Sequence, residues 1–371
     1  MNKIERMLQE LCPEGVEYKK LGDVVTIKNG KDYKHLGKGN IPLYGSGGIM
    51  AYVDDFVYGT PTVLIPRKGS LGNLFYVDTP FWNVDTIFYT VIDTEQIIAK
   101  FLYYVLLNEH LEDLNKAGGV PSLTQSTLNK IKIPVPPLPI QEEIVRILDH
   151  FTELTAELQA ELQAELQARQ EQYEYYRNKL LTFTKIGGGT QSVTWMKMSE
   201  IYDMKAGKSI SASEISSIET EEYPYSCYGG NGLRGYVATF NQEGEKVLVG
   251  RQGALCGNVC FASNLFYATE HAVVISEKGY CLPRYTFYLL TMMNLNQYKT
   301  AGAQPGLSIS RLEKIELPIP PLAEQQRIVN ILDKFETLVN DLSQGLPAEI
   351  AAVQEQYEYY RNKLLTFKRI A

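Results

Sequence analysis

The 371-residue chain has no apolar run near the ~18 residues that a membrane-crossing helix needs. Its start, Met1 to Glu10, is charged and amphipathic, unlike the apolar core of a secretory signal. The five cysteines are odd in number and lack the spacing of a disulfide framework. The only close pair is Cys256 and Cys260, with no second Cys or His pair to complete a zinc pattern. Five reduced thiols in a cytoplasmic protein is the expectation. The four histidines, His35, His110, His150 and His271, fall in no hydrolase order with serine, cysteine or carboxylates. Lys205-Ala206-Gly207-Lys208-Ser209 carries the end of a phosphate-binding loop. Such a loop also needs a glycine five residues before Gly207, where Tyr202 stands. No dinucleotide fingerprint and no Asn-Pro-Pro-Tyr-like loop for amino methylation is present. Paired acids such as Glu221-Glu222 read as solvated loop charges. These absences exclude the common catalytic classes.

Positive charge is scarce overall: the net charge is −7 and the isoelectric point about 5.4. Its distribution matters more. Residues 1–133 carry 14 basic and 15 acidic side chains, and 185–317 carry 12 and 12. Residues 134–184 carry 4 and 9, and 318–371 carry 6 and 7. Most of the excess acid therefore lies in one segment, leaving room for a basic face on each near-neutral part.

What is present is a repeat. QEQYEYYRNKLLTF occurs unchanged at 170–183 and 354–367, 184 residues apart. From 130 to 183, 33 of 54 positions equal their counterparts in 314–367. The flanking regions match more weakly. YGSGGIMAYV (44–53) pairs with YGGNGLRGYV (228–237), and VLIPRKGSLGN (63–73) with VLVGRQGALCGN, one residue longer from 247. GGVPSL (118–123) pairs with GAQPGL (302–307). The frame is shared while the side chains beside its glycines differ.

The expected elements follow. Thr62–Ile65, Thr86–Ile92 and His271–Ile275 read as short strands between glycine-rich turns, and Ile97–Leu107 and Arg284–Met293 as helices. Pro134, Pro136, Pro137 and Pro139 forbid regular structure and then permit a helix start. That helix should run from about Pro139 to Phe183, roughly 65 Å at 1.5 Å per residue. Its middle is the tandem AELQ-AELQ-AELQ (156–167), whose stripe of Leu154, Leu158, Leu162 and Leu166 calls for a partner helix. The second copy is the natural partner, with Gly345 and Pro347 expected to kink or break it. Gly187-Gly188-Gly189 reads as the linker that ends the first copy. The fold class is mixed α/β. Its parts are globular domains at 1–133 and 185–317, each followed by a long helical segment at 134–184 and 318–371.

The remaining chemistry is polar, basic and aromatic residues at glycine-rich turns. In the first copy these are Lys28, Lys31, Lys34, His35 and Lys38, then Tyr44 and Ser46, then Arg67, Lys68, Ser70 and Asn73. In the second they are Lys205, Lys208, Tyr228, Asn231, Arg234, Arg251, Gln252 and Asn258. Lysine and arginine neutralise phosphates. Arginine, asparagine and glutamine can read guanine and adenine edges in pairs of hydrogen bonds. Taken singly, each is equally an ordinary surface residue on a turn.

A variable domain, an Ile-Pro-x-Pro-Pro-Leu-x-x-Gln-type helix start and a helix ending in QYEYYRNKLLTF, all repeated once, resembles the specificity subunit of type I restriction–modification enzymes. The resemblance covers the whole chain. It implies two target-recognition domains, each reading half of a split site on double-stranded DNA, and two antiparallel coiled-coil helices as a spacer, in a pseudo-twofold repeat. It implies a complex with two methyltransferase subunits and two restriction (motor) subunits. It places S-adenosylmethionine, ATP and magnesium on those partners, with no cofactor and no catalytic residue on this chain. The same architecture would serve a methylation-only system. A protein scaffold without DNA would share the repeat, but would not need lysine-rich turns in both globular halves.

Overall fold

The computed structural model describes residues 3–114, 122–183, 193–253, 255–300, 305–340 and 345–370. Gly187 to Gly189 and parts of the GGVPSL and GAQPGL segments (118–121 and 302–304) lie outside them. The first copy runs α1 (Lys3–Leu11), β1 (Tyr18–Lys20), α2 (Leu21–Val24), β2 (Val25–Asn29), β3 (Lys38–Gly45), β4 (Gly48–Val53), β5 (Thr62–Pro66), β6 (Phe75–Val77), β7 (Trp82–Asn83), β8 (Ile87–Ile92), α3 (Ala99–Asn108), α4 (Gln125–Leu128), β9 (Lys132–Pro134) and α5 (Leu138–Leu181). The second runs β10 (Thr194–Lys197), α6 (Met198–Ile201), β11 (Tyr202–Ala206), β12 (Tyr225–Gly229), β13 (Gly232–Val237), β14 (Gln242–Glu243), β15 (Lys246–Gly250), β16 (Val259–Ala262), β17 (Leu265–Ala268), β18 (Ala272–Glu277), α7 (Pro283–Met292), α8 (Ile309–Leu312), β19 (Glu316–Ile319), α9 (Leu322–Asn340) and α10 (Leu346–Leu365). The chain divides into two compact units: 1–161 with 350–371, and 162–349.

The two units share one topology. Unit 1 has a sheet ordered β2-β8-β5-β6 and a second ordered β4-β3-β7; unit 2 has β11-β18-β15-β16 and β13-β12-β17-β14. The inner strand β5 is buried along its length and its equivalent β15 at every residue after Lys246, as strands covered on both faces must be. Alternation sorts its side chains. Val63 and Ile65 join the core with Phe101 and Leu102 of α3, while Leu64 packs with Phe81 and Ile87. In unit 2, Val247 and Val249 face Tyr288 and Leu289 of α7, while Leu248 packs with Phe266.

One side chain ties the long helix to each domain. Gln141, fully buried in the first turn of α5, accepts from the Ile98 N–H (2.9 Å) and donates to the carbonyls of Gln96 (2.9 Å) and Pro136 (2.7 Å). Gln325 in α9 accepts from the Leu282 N–H (2.9 Å) and donates to the carbonyls of Tyr280 (3.0 Å) and Pro320 (2.9 Å). This explains the glutamine of the repeated proline-rich motif. It satisfies backbone groups that the prolines and the helix start leave unpaired. In unit 1, Glu143 also binds Arg146 (2.7 Å) and Lys3 of α1 (2.7 Å). The two cations, Arg146 first, hold its carboxyl down at about 2.

α5 is continuous over 44 residues. Within unit 1, α10 runs antiparallel to it: Thr152 meets Tyr357 (3.0 Å), Gln159 meets Gln354 (3.2 Å), and the Phe151 and Tyr360 rings lie 5.9 Å apart. Within unit 2, the equivalent pair also meets, Phe335 of α9 stacking on Tyr176 at 5.6 Å where the unit 1 rings meet edge-on. The second helical segment is two helices, as Gly345 and Pro347 led one to expect: α9 ends at Asn340 and α10 starts at Leu346 with Pro347 in its first turn. The leucine stripe is less covered than expected. Leu154 and Leu158 remain 47% and 44% exposed, lining an open groove with Val353, Tyr357 and Tyr360. Only Leu162 and Leu166 are half-buried.

Candidate nucleic-acid interface

In each unit the loops at one end of the sheets are gathered by a four-residue turn, 83–86 in unit 1 and 268–271 in unit 2. Its backbone is the hub. Asn83 O accepts from Lys31 N (2.8 Å), Thr86 O accepts from Arg67 N (2.9 Å), and Val84 N donates to Tyr44 O (3.0 Å). Unit 2 repeats all three: Ala268 O with Lys208 N (3.0 Å), His271 O with Arg251 N (2.8 Å), and Thr269 N with Tyr228 O (2.9 Å). A fourth loop joins through Leu123 N to Arg67 O (2.9 Å) and Leu307 N to Arg251 O (2.8 Å). Glycines are required where these backbones meet. A Cβ on Gly30 would lie 1.9 Å from Val84 O, and one on Gly207 2.2 Å from Ala268 O.

The hub brings together most of the candidate residues. Lys28 and Lys205 are the last residues but one of β2 and β11, and Lys31 and Lys208 follow the tight glycines; all four are exposed. These pairs are structural equivalents at an offset of 177 (205 against 28, 208 against 31), whereas Tyr44 and Tyr228 keep the offset of 184. Ser46 lies beside Gly69, so the β3–β4 turn adjoins the loop of Arg67 and Lys68. Lys68 bridges to Ser122 and Gln252 to Gly306. Asn73 and Asn258 close equivalent turns, their N–H groups donating to Ser70 O and Leu255 O (both 3.1 Å). Asn231 and Arg234 are exposed on the β12–β13 hairpin.

Other candidates take different places. Tyr44 and Tyr228 are half-buried packing residues, their rings 5.7 Å from Phe75 and Phe266, and burial raises both phenols. Lys38 opens β3 opposite Val53, at the far end of the hairpin from the Gly45–Gly48 turn. Lys34 is exposed on the connecting loop, where the ring of its neighbour His35 packs 5.5 Å from Trp82. Arg67 and Arg251 are half-buried. The Arg67 guanidinium sits 5.9 Å above the Phe88 ring, and Arg251 Nη1 donates to the Glu270 carbonyl (3.3 Å). Sequence reasoning missed the hub turns themselves. The only trace was the slip from an offset of 184 to 185 that follows the extra residue before Asn258.

Chemically, each gathered end offers exposed ammonium groups together with a half-buried arginine, Arg67 or Arg251, and exposed amide side chains, Asn73 in unit 1 and Gln252 and Asn258 in unit 2. Cations of this kind suit phosphates, and the planar donors suit base edges. Among the described residues no group of three His, Cys, Asp or Glu could hold a metal ion, and no helix is long and apolar enough to cross a membrane. All five cysteines are free.

The profile of the type I restriction modification DNA specificity domain matches this chain twice, over residues 13–168 and 191–352. The specificity subunit of the type I restriction enzyme EcoprrI of Escherichia coli is 45% identical over 254 residues, covering 66% of this chain and 63% of that protein. A putative type I restriction enzyme specificity subunit of Haemophilus influenzae is 34% identical over 400 residues, covering 98% of this chain and 100% of its own. Among solved structures, a chain from a type I restriction–modification system studied for complex assembly and conformational transition superimposes with a TM-score of 0.70 at 15% identity, covering 95% of this chain and 97% of that one. The HsdS subunit of Thermoanaerobacter tengcongensis gives 0.56 at 15%, covering 96% of each. The chain therefore belongs to the type I restriction–modification DNA specificity family. It is a DNA sequence-specificity subunit, not itself a catalyst.

Proposed function

We propose that this chain reads a bipartite site on double-stranded DNA, one half-site per unit, and assembles partners that carry the chemistry. The observation that carries this reading is the hub: one backbone frame built twice, with Lys68, Asp85 and Thr86 in one copy where Gln252, Glu270 and His271 stand in the other. Base contacts specify while a frame positions, so two frames with different side chains suit two different half-sites. Residues 1–133 and 185–317 are the target-recognition domains, and 134–184 and 318–371 the spacer segments. Joining two readers in one chain makes the second binding event intramolecular.

Two methyltransferase subunits are the proposed partners, with two restriction subunits where DNA is cut. S-adenosylmethionine, ATP and magnesium are proposed to sit on those subunits, and the complex in the cytoplasm. A twofold partner is supported by the repeated helix ending: Tyr175 and Tyr359, equivalent residues, are 59% and 61% exposed, each in edge contact with the next tyrosine. Replacing residues 1–133 with another recognition domain tests the reading through the methylated motif of the host genome. One half-site should change and the other stay. A change in both, or in neither, would refute it.

A further inference from the structure

Unit 2 places a carboxylate within its candidate DNA-binding loops. Glu270 is the third residue of the hub turn, and its side chain is 39% exposed. Around it stand Lys208, bridged to Thr269, and Arg251 and His271, whose backbones pair. A carboxylate there repels phosphate, so its presence calls for a reason. Clamping Arg251 is not that reason, because Arg251 Nη1 donates to the main-chain carbonyl of Glu270. Among the described residues the carboxylate pairs with His271 Nε2 through Oε1, at 3.3 Å, while Oε2 is covered and makes no hydrogen bond. A covered acceptor without a donor is costly and calls for an explanation, while the exposed 39% of the side chain is the part a base can reach.

The DNA groups able to donate to a carboxylate in the major groove are the exocyclic amino groups, N4 of cytosine and N6 of adenine. We propose that Glu270 is a base-reading residue of unit 2 that accepts a hydrogen bond from such an amino group, with the neighbouring cations holding the flanking phosphates. The equivalent in unit 1 is Asp85, one methylene shorter, exposed, and followed by Thr86 in place of histidine. The same hub position thus presents an acceptor with a different reach in each half. The inference rests on the DNA face proposed above and adds to it a residue and the chemistry that residue reads.

The test is selection from a randomised duplex library by the full chain assembled with its methyltransferase subunits, comparing wild type, Glu270→Gln, Glu270→Asp and Lys208→Ala. Glu270→Gln removes a charge and replaces one acceptor oxygen with a donor. It should relax preference at one base pair of one half-site by roughly 5- to 140-fold, the range of a good base contact. The other half-site should stay unchanged. Glu270→Asp should weaken the same position by a smaller factor, and it decides the matter if the Gln variant does not fold. A purely structural role would lower thermal stability and leave the selected motif intact. An unchanged motif in both Glu270 variants overturns the inference. Lys208→Ala tells the two failures apart. If it weakens binding across sequences and flattens the salt dependence, the DNA face stands and only the reader is wrong. If it does neither, the face lies elsewhere and both fall.

Discussion

The two units share a frame but differ at four equivalent core positions. In unit 1 these are Val25, Ile92, Ile97 and Leu102, an apolar quartet in one core. In unit 2 they are Tyr202, Glu277, Cys281 and Thr286, with the Tyr202 hydroxyl 3.0 Å from Thr286 Oγ1. The pairing register is the same: Val25 opposes Ile92 as Tyr202 opposes Glu277. A second difference lies where each domain helix meets its long helix. Lys100 bonds Asp149 (2.8 Å), with Tyr104 on the same carboxylate (2.6 Å). Its counterpart Arg284 bonds Asp333 (2.7 Å), Glu336 and Tyr288 together. The comparison teaches that the fold is held by backbone pairing and by the paired glutamines, which the copies share. Core polarity and ion pairing have been free to diverge.

The shared part should give the largest and most equal effects. Gln141→Leu and Gln325→Leu each leave a backbone N–H and two carbonyls without their buried partner. Each should cost about 3–5 kcal/mol, read as a lower denaturation midpoint of the unit concerned. A loss below about 1 kcal/mol in either would show that the motif glutamine is not the tie between helix and domain.

The divergent ion pairs should give unequal effects. Arg284→Ala removes a half-buried cation shared by two carboxylates and should cost about 1.5–3 kcal/mol. Lys100→Ala, in a more exposed pair, should cost less than about 1 kcal/mol. Equal losses in thermal melts would contradict the account of the two junctions.

The buried acid sharpens the comparison through pH. Burial pushes the Glu277 carboxyl up to about 8, tempered by Thr286 and Lys246. The folded state then holds a proton that the unfolded chain gives up near 4.5. Stability from this group is complete below about 4.5 and declines as pH rises through about 8. Glu277→Ile, the unit 1 residue, should flatten that decline. A variant whose melting temperature falls with pH as steeply as wild type would place the effect elsewhere.

Much of this was legible in the sequence, for identifiable reasons. The repeat showed because the helix ends carry long identical runs, within which Tyr176 and Tyr360 each meet the equivalent phenylalanine, Phe335 and Phe151. The strands and domain helices showed through apolar patterning. The loop chemistry was legible only in part. Lys28 and Lys31 did not align with Lys205 and Lys208, because the stretch from Lys208 to Tyr228 is seven residues longer than that from Lys31 to Tyr44 (20 against 13). The hub turns were invisible because their work is done by main-chain N–H and C=O groups, which leave almost no trace in residue identity. Tyr44 and Tyr228 read as surface aromatics because sequence alone does not show Phe75 and Phe266 beneath them.

We propose that the two readers share one frame and that the length of α5 sets the spacing between their half-sites. The AELQ tandem is the place to test it, since its units are alike and one can be lost without interrupting the helix. Each unit is about 6 Å of helix, and a base pair rises about 3.4 Å. Its 400° of turn leaves a net rotation of about 40°, close to the twist of one base pair at about 10.5 per turn. A strain carrying the deletion of residues 156–159 should show a methylated motif with the same two half-sites and a spacer shorter by one to two base pairs, one being favoured. An unchanged spacer, or new bases in either half-site, would contradict the account.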